Sequence, residues 1–212
     1  MRAVVLSAGQ IASYERVRPF IGTPDLVICA DGGIRHALAL GLTPTLVMGD
    51  FDSAGAELID DAAARGIPVE RVPVEKDETD THLAMAEAVR RGAREILLLG
   101  GTGDRLDHTF ANLLLLPGIP ASVAVTVADA KNIIRLLRPG GRMTVKAAGG
   151  GYLSLLPLSP EAKGVVAEGV KWPLDGATLR WGESLGISNQ IVDDEAFVAV
   201  REGFLLVVQA WD

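Results

Sequence analysis

Short apolar runs alternate with segments of helical periodicity over about the first 129 residues, and this alternation constrains the fold more than any other feature. Apolar runs that end in glycine or charged residues are typical of buried strands. The clearest helix ends in Arg90 and Arg91 before Gly92, as the helix dipole and a glycine C-cap favour. The pattern predicts an α/β fold with a mostly parallel sheet and helices on both faces. Strands are predicted at 3–6, 26–30, 46–48, 67–72, 95–99 and 122–127, and helices at 33–40, 54–65, 79–91 and 106–116.

The pattern changes at about residue 130. Glycine and proline clusters such as Pro139-Gly140-Gly141 separate short apolar runs, and no long helical pattern is present. This arrangement is typical of turns between strands. We therefore expect residues 1–129 to form an α/β domain and residues 130–212 to form an all-β domain.

Composition and charge argue against several classes of protein. The chain carries 20 Lys and Arg against 27 Asp and Glu, a net charge of −7 without a basic run, so no nucleic-acid partner is expected. The apolar start is too short for a signal peptide, and no apolar run approaches the roughly 20 residues of a membrane span. A cytoplasmic protein is therefore expected. The single cysteine, Cys29, lies in an apolar run, which favours a buried small residue and excludes an internal disulfide.

Carboxylates follow two of the predicted strands directly. Asp31 follows the strand 26–30, and Asp50 and Asp52 follow the strand 46–48. If residues 49–53 are extended, Asp50 and Asp52 share one side while Phe51 faces inward. Two neighbouring carboxylates raise each other's pKa unless a cation lies between them, and Mg²⁺ prefers such oxygens. A solvated acidic turn is the alternative interpretation.

A third acidic segment opens the helix predicted at 79–91. Asp77 and Asp80 are three residues apart, which predicts that they share one helical face at the positive end of the dipole. Capping of the helix by Asp77 would explain the same residues. Because other acids are predicted at the same edge of the sheet, where open parallel sheets bind ligands, metal binding is the favoured interpretation.

A glycine-rich turn, Gly100-Gly-Thr-Gly-Asp-Arg-Leu-Asp-His108, follows the strand 95–99. Such a turn between a strand and a helix presents backbone N–H groups to an anion, and Arg105 adds a planar fork suited to phosphate. A tight connection without a ligand is the alternative. The turn is not a Walker A motif, and it lacks the third glycine of a dinucleotide fingerprint. The earlier turn Ser7-Ala-Gly-Gln10 could also let a ligand approach the backbone.

One further motif is excluded, and the histidines remain open. The segment Gly182-Glu-Ser-Leu-Gly186 matches a nucleophile elbow, but no histidine follows Ser184, so the order Ser, Asp, His of a hydrolase is impossible. A structural role is favoured for His36 and His82. His108, beside Asp107, is equally compatible with a structural and a functional role.

Five motifs follow one another along the chain, namely Ala30-Asp-Gly-Gly33, Gly49-Asp-Phe-Asp-Ser53, Lys76-Asp-Glu-Thr-Asp80, the glycine-rich turn, and Gly186-Ile-Ser-Asn189. In their order and approximate spacing they resemble the thiamine pyrophosphokinase family in its bacterial form, and the resemblance spans nearly the whole chain. It implies a Rossmann-like α/β domain, a β-sandwich that binds thiamine and forms a homodimer, and transfer of the pyrophosphoryl group of ATP to the thiamine hydroxyl with release of AMP.

The resemblance also implies roles for individual residues. Arg105 and Asp107 are implied in catalysis together with Asp77, and Ser188 and Asn189 would reach the site from the β-domain of a partner subunit. Asp104 departs from the family, which usually has a small residue there. The implied Mg²⁺ ligands are Asp50, Asp52, Asp77 and Asp80. The implied nucleotide and thiamine contacts are Asp31, Gly32, Gly33, Lys76, Thr79, Gly101, Thr102, Arg105 and His108.

Some questions stay open at this point. Asp107 and Asp77 are the two candidates for accepting the hydroxyl proton. Thiamine is an aromatic cation, and Trp172, Trp181 and Trp211 are candidates for an aromatic face. Two other functions remain as alternatives, namely a pyrophosphokinase with another acceptor such as a hydroxymethylpterin, and a non-catalytic nucleotide or thiamine sensor. The Ser188-Asn189 pair favours thiamine, and five acids argue against a sensor.

Overall fold

A computed structural model describes residues 1–51, 56–147 and 151–211. The chain divides into two compact units, Met1–Ala130 and Lys131–Asp212. Among the described residues, no helix is long and apolar enough to cross a membrane.

The N-terminal unit alternates strands and helices as the sequence predicts. All neighbouring strands pair in parallel, in the order β4-β3-β2-β1-β5-β6. The strands are β1 (Arg2–Leu6), β2 (Leu26–Ala30), β3 (Leu46–Gly49), β4 (Val69–Arg71), β5 (Glu95–Leu99) and β6 (Ala124–Ala128). The helices are α1 (Tyr14–Ile21), α2 (Ile34–Leu40), α3 (Ala56–Ala64), α4 (Asp80–Arg90) and α5 (Leu106–Leu114), with 3₁₀ turns at Asp31–Gly33 and Leu116–Gly118.

The strand order reverses at β1, which has β2 on one side and β5 on the other. A reversal of this kind opens a crevice beyond the carboxyl ends of the strands. The loops after β1, β2, β3 and β5 all leave from this edge. They contain the Ser7 turn, Asp31, Asp50 and the glycine-rich turn, so the fold brings the predicted motifs to one side of the sheet.

Both faces of this sheet are buried. Val4 and Leu6 of β1 join a core cluster with residues of α1, α2 and α3, whereas the alternate residues Ala3 and Val5 are fully buried on the other face. Helix α4 packs against β1, β2 and β3. Strands buried on both faces read as continuous apolar runs, which is why the sequence identified them.

In the N-terminal unit, helix α1 is the element that the sequence analysis missed. Pro19 lies inside it, and only eight residues form it, so its periodicity is weak. Its start was nevertheless marked, because the Ser13 side chain accepts a hydrogen bond from the backbone N–H of Arg16, as an N-cap does. The strands predicted at 26–30 and 95–99 are confirmed without a shift, and the other predicted boundaries differ by at most two residues. Part of the helix predicted at 54–65 lies outside the described residues.

The C-terminal unit contains two antiparallel sheets and, among its described residues, no helix. One sheet has the order β7-β13-β9, and the other has the order β11-β10-β12-β8. Alternate residues of both sheets, such as Leu153, Leu205, Val165 and Val198, form one buried cluster. The unit is therefore a β-sandwich, and the predicted fold class is confirmed. Its strands are β7 (Asn132–Leu137), β8 (Arg142–Lys146), β9 (Tyr152–Pro157), β10 (Glu161–Glu168), β11 (Leu174–Arg180), β12 (Glu195–Ala199) and β13 (Leu205–Ala210).

Candidate active site

A cavity of about 830 Å³ opens at the carboxyl edge of the parallel sheet. A volume of this size suits a small-molecule ligand such as a nucleotide. The glycine-rich turn, the turn after β1 and the ends of β2 and β3 all contribute to its wall. Predicted site residues that line it are Asp31, Asp50, Lys76, Thr79, Asp80, Gly101, Thr102, Arg105 and His108.

The chain turns sharply at the ends of β2 and β3. Asp31 has φ 46° and Phe51 has φ 62°, so both lie in the left-handed region that side chains disfavour. The expectation that residues 49–53 are extended is therefore wrong at Phe51. The expectation that Phe51 faces inward is confirmed, because Phe51 packs against the core cluster. Strained residues of this kind concentrate at functional sites, where the surrounding structure holds them in place.

The centre of the acidic region is occupied by an ammonium group of the protein itself. The Nζ atom of Lys76 lies 3.1 Å from Oδ2 of Asp50 and 3.2 Å from Oδ1 of Asp80. It also donates a hydrogen bond of 3.0 Å to the carbonyl oxygen of Pro73. The side chains of Lys76 and Asp50 are each 13% exposed, and that of Asp80 is 20% exposed. Asp50 and Asp80 thus already bind a cation between them.

Burial and like charge act together on Asp80. Desolvation raises its pKa, the ion pair with Lys76 lowers it, and the charges of Asp50 and Asp31 raise it again. The net shift is upward. For Lys76, burial lowers the pKa, but the hydrogen bonds to Asp50 and Asp80 outweigh this effect and raise it. The three acids therefore lie close enough to influence one another, although they come from three separate segments of the chain.

The other two predicted metal ligands, Asp52 and Asp77, are not part of this cluster as the structure describes it. Asp52 lies outside the described residues. Asp77 is exposed and is not part of the cavity wall. Helix α4 begins at Asp80 with Thr79 as its N-cap, whose hydroxyl accepts a hydrogen bond from the His82 N–H at 3.2 Å. The expectation that Asp77 and Asp80 share a helical face is therefore wrong, and the capping residue is Thr79.

The carboxylates of Asp50 and Asp80 fit the small number of protein ligands that Mg²⁺ usually takes. Over residues 1–51, 56–147 and 151–211, no three His, Cys, Asp or Glu side chains are grouped to ligate one ion. Mg²⁺ usually takes only one or two carboxylates and completes its octahedron with waters and substrate phosphates. Asp50 and Asp80, which already share a cation, provide such a pair.

The glycine-rich turn is held against the turn after β1 by its own backbone. The N–H of Ser7 donates to the Leu99 carbonyl oxygen, and the N–H of Gly9 donates to that of Gly100. A methyl group at Gly9 or Gly100 would overlap backbone atoms of the facing turn, so only glycine allows this approach. The expectation that the Ser7–Gln10 turn borders a ligand site agrees with its place in the cavity wall.

Two polar residues support this turn, of which Asn112 was missed by sequence reasoning, whereas a structural role was predicted for His36. Asn112 of α5 is buried, and its Nδ2 donates to the Gly101 carbonyl oxygen at 2.7 Å. His36 of α2 is also buried, with Nε2 2.9 Å from the Gly9 carbonyl oxygen and Nδ1 2.8 Å from the Tyr14 hydroxyl. Since a carbonyl oxygen only accepts, Nε2 carries the proton. Burial lowers the pKa of His36, which agrees with a neutral ring in a structural role.

Arg105 and Asp107 form an ion pair at the mouth of the cavity. The Arg105 Nε donates to Asp107 Oδ1 at 3.0 Å, and its Nη2 donates to Oδ2 at 2.6 Å. Both side chains are mostly exposed, at 72% and 64%. The hydrogen bonds from Arg105 hold the pKa of Asp107 well below its usual range. A carboxylate with so low a pKa is a weak base.

In the C-terminal unit, Asn189 positions a neighbouring tryptophan. Its Oδ1 accepts from the backbone N–H groups of Trp172 at 3.1 Å and Gln190 at 2.9 Å, and its Nδ2 donates to the Trp172 carbonyl oxygen at 2.7 Å. Asn189 is buried, whereas the Trp172 ring is exposed. Ser188 has φ 57°, again in the left-handed region. The segment therefore presents Trp172 to solvent on a rigid support.

Two family models match the chain. One is described as the catalytic domain of thiamin pyrophosphokinase and matches residues 18–126. The other is described as its vitamin B1 binding domain and matches residues 142–205. Together they cover most of both units.

Individual proteins agree with these models. Thiamine pyrophosphokinase from Bacillus subtilis is 30% identical over 189 residues, which is 88% of either chain. The crystal structure of thiamine pyrophosphokinase from the same species matches all of this chain with a TM-score of 0.89 and 25% identity. That of the Geobacillus thermodenitrificans protein has a TM-score of 0.87 and 29% identity, over 100% of this chain and 98% of the other.

Proposed function

Because this chain belongs to the thiamine pyrophosphokinase family, it transfers the pyrophosphoryl group of ATP to thiamine, and we propose that the cavity of the N-terminal unit is the site of transfer. The observation that carries this proposal is the arrangement of Asp50, Lys76 and Asp80. The carboxylates of Asp50 and Asp80 lie on either side of the Lys76 ammonium group, in the same cavity that the glycine-rich turn borders.

We propose Mg²⁺ as the cofactor, with Asp50 and Asp80 as its protein ligands. The motifs alone support adding Asp52 and Asp77 to this set. When bound, a divalent cation neutralises the phosphates and stabilises charge on the leaving group. The protein contributes by fixing the positions of its carboxylates, since Asp50 follows a buried strand and Asp80 opens a helix that packs on that sheet.

The nucleotide phosphates would bind along the glycine-rich turn. The glycine-rich turn leads into the start of α5, where the helix dipole favours an anion. Thr102 has its hydroxyl fixed by a hydrogen bond of 2.8 Å to Asp129, and Asn112 fixes the Gly101 carbonyl. Arg105 can contact phosphate once its fork leaves Asp107. Gly32 and Gly33 would border the nucleotide from the end of β2, as the family motif implies.

Thiamine would bind through the C-terminal unit. The matching model is described as a vitamin B1 binding domain, and the exposed Trp172 offers an aromatic face to a cation. Lys171 Nζ lies 4.7 Å from the centroid of this ring, which illustrates that the ring accepts a cationic partner. Ser188 and Asn189 would act from the same segment. We propose a homodimer in which a partner subunit supplies this segment, and sedimentation velocity tests its stoichiometry.

The reaction itself requires the thiamine hydroxyl to attack the β-phosphorus of ATP, with AMP as the leaving group. Alignment of the two substrates supplies much of the rate enhancement. While Arg105 stays paired with Asp107, the lowered pKa of Asp107 makes this carboxylate a poor acceptor for the hydroxyl proton. When Arg105 moves to a phosphate, the cause of the lowered pKa is removed, so Asp107 stays a candidate for accepting that proton. A cytoplasmic location is part of the proposal, because ATP is the donor.

One assay tests the function directly. The protein is incubated with ATP, Mg²⁺ and thiamine, and we expect AMP and thiamine diphosphate in equal amounts. Formation of ADP would indicate a monophosphate kinase instead, and no change in the nucleotide would indicate a binding protein. A hydroxymethylpterin in place of thiamine should give no AMP.

A further inference from the structure

Lys76 lies where a metal ligand set would be expected to hold its ion. Its ammonium group contacts Asp50, Asp80 and the Pro73 carbonyl oxygen at 3.1, 3.2 and 3.0 Å. The contacts with Asp50 and Pro73 are hydrogen bonds, and the contact with Asp80 is an ion pair. Its side chain is only 13% exposed, which leaves little room for competing water.

The same carboxylate oxygens cannot serve Lys76 and a divalent ion at once. Lys76 occupies the space between Asp50 Oδ2 and Asp80 Oδ1. Mg²⁺ requires its oxygen ligands at about 2.0–2.1 Å, a distance that leaves no volume for an ammonium group between them. Binding of the ion therefore requires that Lys76 leave.

A reason for such a residue follows from the charges. Asp50 and Asp80 lie near Asp31, and each of these acids is mostly desolvated. Without a cation, repulsion among them would favour a different arrangement of the loops. Lys76 lies only four residues before Asp80 in the same chain. Unlike an ion taken from solution, it therefore supplies a positive charge without a loss of translational freedom.

We propose that Lys76 is a tethered placeholder cation, which holds Asp50 and Asp80 together in the free protein and leaves them when a divalent ion binds. This inference rests on the proposed metal site. Lys76 then lowers the affinity of the free protein for the metal and keeps the site assembled until the metal arrives. The displaced ammonium group is available to pair with a phosphate of the nucleotide.

Binding of Mn²⁺ to the nucleotide-free, full-length protein tests this inference. Mn²⁺ prefers the same oxygen ligands, and the electron paramagnetic resonance signal of the free ion measures its binding. We expect Lys76→Met to bind Mn²⁺ about tenfold more tightly than the wild type, since a competing, partly buried charge is removed. Lys76→Arg keeps the charge and should not bind more tightly.

Arg94→Met is the matched control for net charge. Arg94 is exposed and precedes β5, so it lies at the opposite edge of the same sheet from the cavity. Its removal changes the net charge as Lys76→Met does, and we expect its affinity for Mn²⁺ to change less than twofold. An increase in affinity equal to that of Lys76→Met would mean that the effect is a general change in charge, which would overturn the proposal.

Thermal unfolding gives a second readout. In the presence of a chelator, Lys76→Met should unfold at a lower temperature than the wild type, because Asp50 and Asp80 then repel each other. Saturating Mn²⁺ should raise its midpoint by more than that of the wild type. If Lys76→Met does not fold without metal, Lys76→Gln, which keeps hydrogen-bond donors but not the charge, replaces it in both measurements.

The remaining outcomes separate this inference from the proposed function. Unchanged or weaker Mn²⁺ binding by the charge-removing variants would overturn the placeholder role. If no variant binds Mn²⁺ although AMP and thiamine diphosphate are formed, the placeholder role fails and the function stands. If Lys76→Met binds Mn²⁺ more tightly but the wild type forms no AMP, the placeholder role stands and the proposed function fails.

Discussion

The hydroxyl groups of Ser7 and Thr81 lie 2.6 Å apart in a buried hydrogen bond. Ser7 follows β1, and Thr81 lies in the first turn of α4, so this bond joins the central strand of the sheet to the helix that carries Asp80. It fixes the height of the helix N-terminus relative to the sheet edge, and thereby the position of the Asp80 carboxylate.

Loss of one partner of this bond should cost more than loss of both. Thr81→Val keeps the shape but leaves the Ser7 hydroxyl unsatisfied, and we expect a loss of about 1–3 kcal/mol in the free energy of unfolding. Ser7→Ala combined with Thr81→Val should recover part of that loss, because no polar group then remains unpaired. Urea unfolding of the two single variants and the double variant measures this, and simple additivity of their effects would contradict the interpretation.

Neutralisation of either central carboxylate should abolish turnover. Asp50→Asn and Asp80→Asn should each reduce kcat by at least about 100-fold, because each removes one charge from the proposed metal pair. The sequence motif predicts the same for Asp52→Asn. Asp60→Asn, at an exposed position of α3, is the control and should retain wild-type kinetics. Near-normal activity of Asp50→Asn and Asp80→Asn would remove the basis of the metal assignment.

Gly33 should not tolerate even one additional methyl group. A Cβ atom there would overlap the carbonyl group of Leu6 at the end of β1, so strand β1 or the turn after β2 would have to move. We expect Gly33→Ala to lower the free energy of unfolding by about 1–3 kcal/mol. Gly118→Ala is the control, because a Cβ there meets no atom within 4 Å. Equal stability of the two variants would show that Gly33 does not lie as close to the Leu6 carbonyl group as the structure indicates.

The aromatic face for thiamine should be that of Trp172. Its backbone is fixed on both sides by the Asn189 side chain, which gives the exposed ring a defined orientation. Trp172→Ala should raise KM for thiamine about tenfold with little change in KM for ATP, and Trp172→Phe should have a smaller effect. Steady-state kinetics with each substrate varied tests this. If Trp181→Ala has the larger effect on thiamine, then Trp181 provides the face.

Acid should remove the contribution of Glu87 to stability. Hydrogen bonds from Arg90 and Arg91 outweigh burial and lower the pKa of Glu87 to about 2. A carboxylate with a lowered pKa stabilises the fold above its unfolded pKa, and this contribution is lost as the pH falls from about 4.5 towards 2. Because Arg90 is mostly exposed, we expect Glu87→Gln to cost only about 1 kcal/mol at pH 7.

The measurement is urea unfolding of Glu87→Gln and the wild type at several pH values. The difference between them should shrink below pH 4.5. Glu95→Gln removes an exposed carboxylate that pairs with Arg2, and it serves as the control, with a small effect at every pH. A difference for Glu87→Gln that does not change with pH would indicate that packing, and not charge, stabilises this part of α4.

The strands that sequence analysis predicted most accurately share one physical property. β2, β3 and β5 are buried on both faces, so nearly every residue in them must be apolar, and the run itself marks the strand. Helix α1 was missed because it is short and contains Pro19. The N-cap of α4 could not be assigned from sequence, because Asp77 and Thr79 are both residue types that favour an N-cap. In the structure the N-cap is Thr79, and the helix begins at Asp80.

The candidate site divides in the same way. Asp31 and Asp50 were predictable because each directly follows a strand, and parallel strands deliver their carboxyl ends to one edge. The assignment of Lys76 to the nucleotide came from the motif, but the motif does not reveal that its ammonium group lies between Asp50 and Asp80. A structural role was predicted for His36, but its contact with Gly9 and the role of Asn112 were not predicted, because a single polar residue in a helix does not indicate its partner.

The two-part architecture, the edge of the sheet at which the acids collect, and the family could all be predicted from the amino-acid sequence, because apolar periodicity and motif order are properties of neighbours along the chain. Which acids meet could be learned from the folded structure alone. Asp50 and Asp80 are thirty residues apart and come together because β3 and α4 pack on the same sheet. Electrostatic interactions depend on distance in space, and the order of residues along a chain does not contain that distance.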